Sequence, residues 1–171
     1  MLRREDGQDH MAKPDMCTGA EAEAEAAVAE EWRKGLAALA AHPNVAIKLS
    51  GAFSEIDHTA LRRGANGTGE GDDGDEALEE KIVRQVLPWA ASVVELFGPE
   101  RVMWGSDWPV CNLGYGKLVG QDSQDGAWRA WARVSARLMD ALVARGLLTP
   151  LQTEFLWWRA AEVVYGVRLS S

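Results

Sequence analysis

Phe97-Gly98-Pro99-Glu100-Arg101-Val102-Met103-Trp104-Gly105-Ser106-Asp107-Trp108-Pro109-Val110 is the stretch whose reading decides the fold. Gly98-Pro99 closes whatever helix precedes it, because proline disfavours the helical region for the residue before it and donates no backbone hydrogen bond. Val102 to Trp104 then reads as a short strand. It runs straight into Gly105-Ser106-Asp107-Trp108-Pro109, so a carboxylate stands just beyond the C-terminal end of that strand.

Working outward, Leu78, Ile82, Val83, Val86, Val93, Val94 and Phe97 recur at helical spacing and predict a helix that Pro88 kinks or splits. Before it, residues 64 to 76 (Gly-Ala-Asn-Gly-Thr-Gly-Glu-Gly-Asp-Asp-Gly-Asp-Glu) hold no large apolar side chain to offset ordering entropy, which predicts a mobile surface insertion. Val45 to Leu49, bounded by Pro43-Asn44 and Ser50-Gly51, is a second β-branched run and predicts a second strand. The helix before it opens on the capping box Thr18-Gly19-Ala20-Glu21, carries Val28, Trp32, Leu36 and Leu39 on its apolar face and ends at His42-Pro43. Beyond the central stretch, Trp128, Trp131, Val134, Leu138, Leu142 and Val143 outline a third helix stopping near Gly146. Thr149-Pro150 opens a fourth, with Gly166 as its stop. The order helix, strand, helix, strand, helix, helix is the alternation of parallel βα units. The two strands are therefore expected side by side and parallel, with Ile47 and Trp104 in the core.

Bulk properties exclude several function classes. Eighteen basic against twenty-six acidic residues leave a charge of −8 with no Lys/Arg stripe, which argues against nucleic acid as a partner. A composition 47% hydrophobic and 26% charged is that of a globular chain. No run approaches the ~18 apolar residues of a membrane span, and Met1 to Gln8 is charged, without the apolar stretch of a signal peptide. Cys17 and Cys111 form no CxxC pair, so nothing calls for an oxidising compartment, and a cytoplasmic location is expected.

Three stretches, in order, resemble the last third of the amidohydrolase-related (β/α)₈ barrels, the branch with sugar-lactone and pyrone-dicarboxylate lactonases and related decarboxylases. Asp9-His10-Met11-Ala12-Lys13-Pro14 resembles the Asp-His-x-Gly-Lys-Pro that follows strand six. His42-Pro43-Asn44-Val45-Ala46-Ile47-Lys48-Leu49-Ser50-Gly51 resembles strand seven, and the stretch from Phe97 to Val110 resembles strand eight with its lead-in. The chain departs from the pattern at Ala12, where glycine is usual, and at Arg159-Ala160, where the final helix usually carries Asn-Ala. The resemblance implies a partial (β/α)₈ barrel of α/β class, the last two to three βα units, over residues 9–169, after a poorly defined start at 1–8 and with the flexible insertion at 64–76. A whole barrel takes ~250 residues. The chain thus reads as a truncated gene or a fragment. The His-x-His pair that metal-using members carry on strand one has no counterpart, since the histidines are His10, His42 and His58.

By the resemblance, Asp107 at the mouth of the barrel is a catalytic base toward water, His10 is a catalytic residue polarising a substrate carbonyl or carboxylate, and Trp108 lines the substrate pocket. By residue type alone, an Asp before Trp-Pro is a common turn or capping residue and a histidine in a polar stretch is commonly solvated; both readings stand at this point. His42 is read as a helix end and His58 as a loop residue. Lys48 alternates away from Ile47 and Leu49, so it either projects into the mouth or covers a polar face, and it is not placed in the catalytic set. Trp32, Trp89, Trp128, Trp131 and Trp158 are read as packing residues. The implied activity is hydrolysis of a lactone or related small carboxylic-acid derivative. No metal ligand is assigned here, although a divalent metal such as zinc is compatible with full-length relatives. The expected partners are a small-molecule substrate and, through exposed barrel edges, a second copy of the chain, with neither nucleic acid nor membrane. The rival reading is a non-catalytic barrel remnant, an interaction module or an inactive gene product.

Overall fold

Strands β1 (Ile47–Leu49) and β2 (Val102–Trp104) pair in parallel, Ile47 opposite Val102, Lys48 opposite Met103 and Leu49 opposite Trp104. The Gly105 amide donates to the Leu49 carbonyl at 3.2 Å and carries the pairing one step past β2. Parallel neighbours need a long crossover, and the chain supplies it through α2 (Ala52–Glu55), α3 (His58–Arg63) and the long α4 (Asp72–Phe97). The computed structural model describes residues 10–12, 14, 16, 22–63, 72–119 and 126–167, and among these the sheet has two strands. Helix α1 (Ala22–Ala40) precedes β1. After β2 come α5 (Cys111–Val119), α6 (Ala127–Ala144) and α7 (Pro150–Glu154), the last running through a π-turn at Phe155–Arg159 into α8 (Ala160–Tyr165).

The two faces of this small sheet are covered by different elements. Ile47, Leu49 and Val102 are buried in one core with Ile82, Val86, Ala90 and Val93 of α4 and Trp131, Val134 and Leu138 of α6. On the other face, Ala46 and Met103 pack with Ala160 of α8, and Ala161 and Val164 close over them. Arg101, one residue before β2, ties the ends together. Its Nη1 donates to the carbonyls of Ala40, His42 and Val45 at 3.0–3.2 Å, and its Nε donates to Phe97 at 3.0 Å. Carbonyls at a helix C-terminus have no partner within the helix and sit at the negative end of its dipole, so one guanidinium serves the ends of α1 and α4 at once. Between α4 and α6, the buried Glu79 is held by Arg133 and, at 3.5 Å, by Arg137.

Both expected strands are present and parallel, as are the fourth helix start at Thr149-Pro150 and the stop at Gly166. Thr149 and Gln152 bond reciprocally as a capping box, and Gly166 takes φ 64°. Other expectations are corrected. Helix α4 runs through Pro88 unsplit, and because Pro88 lies on its exposed side, the carbonyl that loses its helical partner is open to water. Residues 72–76, expected in the insertion, belong to α4. Residues 64–71 of the expected insertion, the capping box at 18–21 and the stretch 1–9 lie outside the described residues. Val28 is 46% exposed, whereas Leu36, two turns further along α1, is buried. Trp128 is 40% exposed, one position off the buried stripe of Ala127, Ala130, Trp131 and Val134, with Arg129 over its ring at 5.4 Å. Trp158 is likewise exposed under Arg159, at 4.9 Å. Trp32, Trp89 and Trp131 do pack: Trp32 meets Trp89 edge to face at 4.9 Å, and Trp131 is fully buried. Among the described residues no helix is long and apolar enough to cross a membrane.

Helices α2, α3 and α5 were not expected, since two are too short to show a period and the third reads Cys-Asn-Leu-Gly-Tyr-Gly, a loop-like composition. The glycine at 114 has a packing reason. A Cβ there would lie 2.3 Å from the Phe53 carbonyl oxygen, so α5 rides directly on the end of α2. Gly114→Ala should therefore cost about 1–3 kcal/mol, the usual range for overpacking. Gly35→Ala, in the middle of α1 with nothing within 4 Å of the new Cβ, should stabilise by about 0.5–1 kcal/mol through helix propensity. Urea unfolding of both variants checks the contrast, and a Gly114→Ala chain as stable as the parent would contradict this packing.

Candidate active site

Side chains alternate along a strand, so Ala46, Lys48 and Ser50 share the face of β1 that points away from the main core. Lys48 stands opposite Met103 on that same side. Where the two strands end, a pocket of about 360 Å³ opens. Lys48 and Ser50 line it from β1, Gly105, Asp107 and Trp108 from the loop after β2, and Ala161 and Tyr165 from α8.

The loop after β2 is fixed from several directions. The Trp131 indole, reaching from the core, donates to the Gly105 carbonyl at 2.9 Å. Trp104 donates to Ser135 on α6 at 2.9 Å and packs on Trp157 at 5.1 Å. The Trp108 amide donates to the Ser106 hydroxyl at 3.3 Å, and the Trp108–Pro109 peptide bond is cis. Asp107 itself adopts φ 56°, a left-handed backbone that aspartate tolerates better than most residues. Its carbonyl accepts the Cys111 amide at 2.8 Å, so the backbone of Asp107 leads into α5 while its side chain lines the pocket. Gly105 permits the closeness of the two strand ends, since a Cβ there would come within 3.3 Å of the Ser50 Cβ.

Asp107 and Trp108 therefore meet in one pocket, with Trp108 the more open of the two at 65% exposed. His10 is placed by its backbone, which opens the turn His10–Ala12 packed against β1. Met11 and Ala12 in that turn are left-handed, at φ 53° and 55°, which is the physical reason a glycine suits position 12. His42 lies in the exposed turn after α1. His58 is not in a loop: it opens α3 and donates from Nε2 to the Phe53 carbonyl at 2.8 Å. Lys48, left out of the catalytic set by the sequence, lines the same pocket as Asp107. Its alternation with two apolar neighbours was the available signal. Nothing in the sequence pointed to Tyr165 or Ser50, which enter through packing of α8 and through strand register.

Cys111, buried at the start of α5, has its thiol pushed up first by burial and next by the Asp107 carboxylate. It is packed in the core cluster, where burial disfavours the thiolate. Among the described residues no three of His, Cys, Asp and Glu gather into a metal-ligating group, and the carboxylate of Asp107 shares its pocket with an ammonium.

Compared with known proteins, residues 8–146 match the family described as Amidohydrolase. An L-fucono-1,5-lactonase of Burkholderia ambifaria is 36% identical over 124 residues, covering 72% of this chain and 31% of that protein. An L-rhamnono-gamma-lactonase of Scheffersomyces stipitis is 33% identical over 101 residues, 58% of this chain and 23% of that protein. Among solved structures, an amidohydrolase from Burkholderia multivorans is similar in two crystal forms. With bound HEPES it gives a TM-score of 0.61 at 27% identity, and with bound zinc 0.58 at 28%; in both, the match covers 95% of this chain and 44% of that one. The chain thus spans about a third of the length of the lactonase from B. ambifaria.

The Cys111 environment gives a test of the Asp107 charge. In a Cys17→Ser background, iodoacetamide should alkylate folded Cys111 at pH 8 far more slowly than the urea-unfolded chain, because the thiol holds its proton. Asp107→Asn should speed the reaction only in part, since burial, the larger cause, remains. Alkylation of the folded chain at the unfolded rate would contradict this geometry.

Proposed function

The chain belongs to the amidohydrolase family, and we propose that the pocket beside Asp107 serves hydrolysis of a lactone or a related small carboxylic-acid derivative. The observation that carries the reading is the position of Asp107 at the C-terminal end of a parallel strand, lining a pocket with Trp108. Chemistry in (β/α)₈ barrels is assembled from several such strand ends. Two relatives named as lactonases, from Burkholderia and Scheffersomyces, support the choice of substrate class.

In the proposed reaction Asp107 accepts a proton from water as the water oxygen bonds to the lactone carbonyl carbon. The ring ester C–O bond then breaks, and the leaving alkoxide takes the proton back, giving a hydroxy acid that ionises to its carboxylate. His10, on the turn against β1, is proposed to polarise the carbonyl, and Trp108 to cover the ring of the substrate. Further strand ends of the barrel are proposed to complete the wall of the site. A second reading, an interaction module, is favoured by one observation: Leu151, Val163, Tyr165 and Val167 expose apolar side chains along the C-terminal helical segment and just past it. Concentration-dependent self-association, measured by sedimentation, together with no lactone opening by a complete barrel that carries this segment, would favour that second reading.

Asp107→Asn tests the base directly. Asparagine accepts φ 56° about as readily as aspartate, so the fold should persist while the base is lost. Opening of L-fucono-1,5-lactone by a complete barrel that carries this segment, followed as acid release, should fall by about 10²- to 10⁴-fold, the usual worth of general-base assistance, whereas the 171-residue chain alone should not open the lactone. An Asn variant as fast as the parent, with an unchanged melting curve, would reduce Asp107 to a turn residue.

A further inference from the structure

We propose that Lys48 is the anion-binding group of this pocket and that, beside the Ser50 hydroxyl, it receives the carboxylate of a small hydroxy acid. A lysine in the middle of a three-residue buried strand is costly unless its ammonium reaches water or a partner. Alternation removes Lys48 from the core face that takes Ile47 and Leu49, and the half-buried side chain opens into the pocket. Among the described lining residues Lys48 is the cation, Asp107 the anion, and Trp104, Trp108 and Tyr165 the aromatic wall. An ammonium, a hydroxyl and three aromatic side chains lining one pocket suit a ligand that has one acidic group and a compact ring or chain. A volume near 360 Å³, at the small end for ligand pockets, is enough for a small molecule.

The placement also has a chemical sense, which rests on the hydrolytic reading. Opening a neutral lactone creates negative charge at the former carbonyl, first as an oxyanion and then as a carboxylate. A fixed ammonium in a partly enclosed pocket is matched to the charge that develops rather than to the neutral substrate.

The test measures acid binding without turnover. By titration calorimetry the protein should bind L-fuconate at least about tenfold more tightly than the uncharged alcohol L-fucitol. Lys48→Met should lose about 10- to 100-fold toward L-fuconate, the scale of one charge-assisted hydrogen bond, while changing L-fucitol binding less than about twofold. Lys48→Arg should keep most of the preference. Unchanged L-fuconate binding in Lys48→Met overturns the proposal, and so does a parent chain that does not prefer the acid, a comparison that needs no variant to fold. Lys48-dependent acid binding in a protein whose lactone opening ignores Asp107→Asn would sustain this subsite and sink the hydrolytic reading, so the two failures are separable.

Discussion

The parallel register of two three-residue strands governs the rest of the molecule. With Leu49 opposite Trp104 and the Gly105 amide on the Leu49 carbonyl, the chain leaves both strands at the same end. Ser50 and Gly105 are thereby forced into contact, and the loop that carries Asp107 rises beside the β1 face that carries Lys48. A slip of one residue would send Lys48 into the core and Ile47 into the pocket, because the period of a strand is two. Ile47 and Leu49 hold the register by hydrophobic burial, and Arg101 holds the approach to β2 through the carbonyls of Ala40, His42, Val45 and Phe97, at the ends of α1 and α4 and on the chain that leads into β1.

A sheet this narrow has little area of its own to bury, so its stability depends on what covers each face. The main core uses α4 and α6, whose contact is reinforced by Glu79 with Arg133 and Arg137. The opposite face is closed over its lower part by small residues of α8, Ala160 and Ala161. Those alanines let the helix lie close on Ala46 and Met103, and that closeness carries Tyr165 to the rim of the pocket. Covering the sheet and shaping the site are thus one packing event.

Much of this was legible in the sequence for physical reasons. Val45–Leu49 and Val102–Trp104 are β-branched or aromatic runs between strong breakers, and Thr149-Pro150 and Gly166 mark helix ends by hydrogen-bonding and dihedral rules that need no tertiary context. Asp107 was legible by its place after a strand. What stayed hidden depends on packing: α5 forms from a glycine-containing run because Gly114 must pass the Phe53 carbonyl, and Trp128 misses the core by one helical step. Pro88 was expected to kink or split a helix, and it does not split α4, which has α6 along its buried side and places the proline outward. Lys48 was left undecided because alternation tells which face a side chain takes and not what that face meets.

The charge of the whole chain bears on how such a pocket would work. At −8 the protein repels anions, but at physiological ionic strength that field fades over roughly 8 Å, so only groups near the pocket act on a bound ligand. A neutral lactone approaches without penalty from the net charge. On the proposed hydrolysis the product would be an anion next to Asp107, and that repulsion would favour its departure. Lys48 would oppose it at short range. The balance between this ammonium and that carboxylate would then set how long the acid stays, which makes position 48 a place where product release, rather than the fold, is tuned.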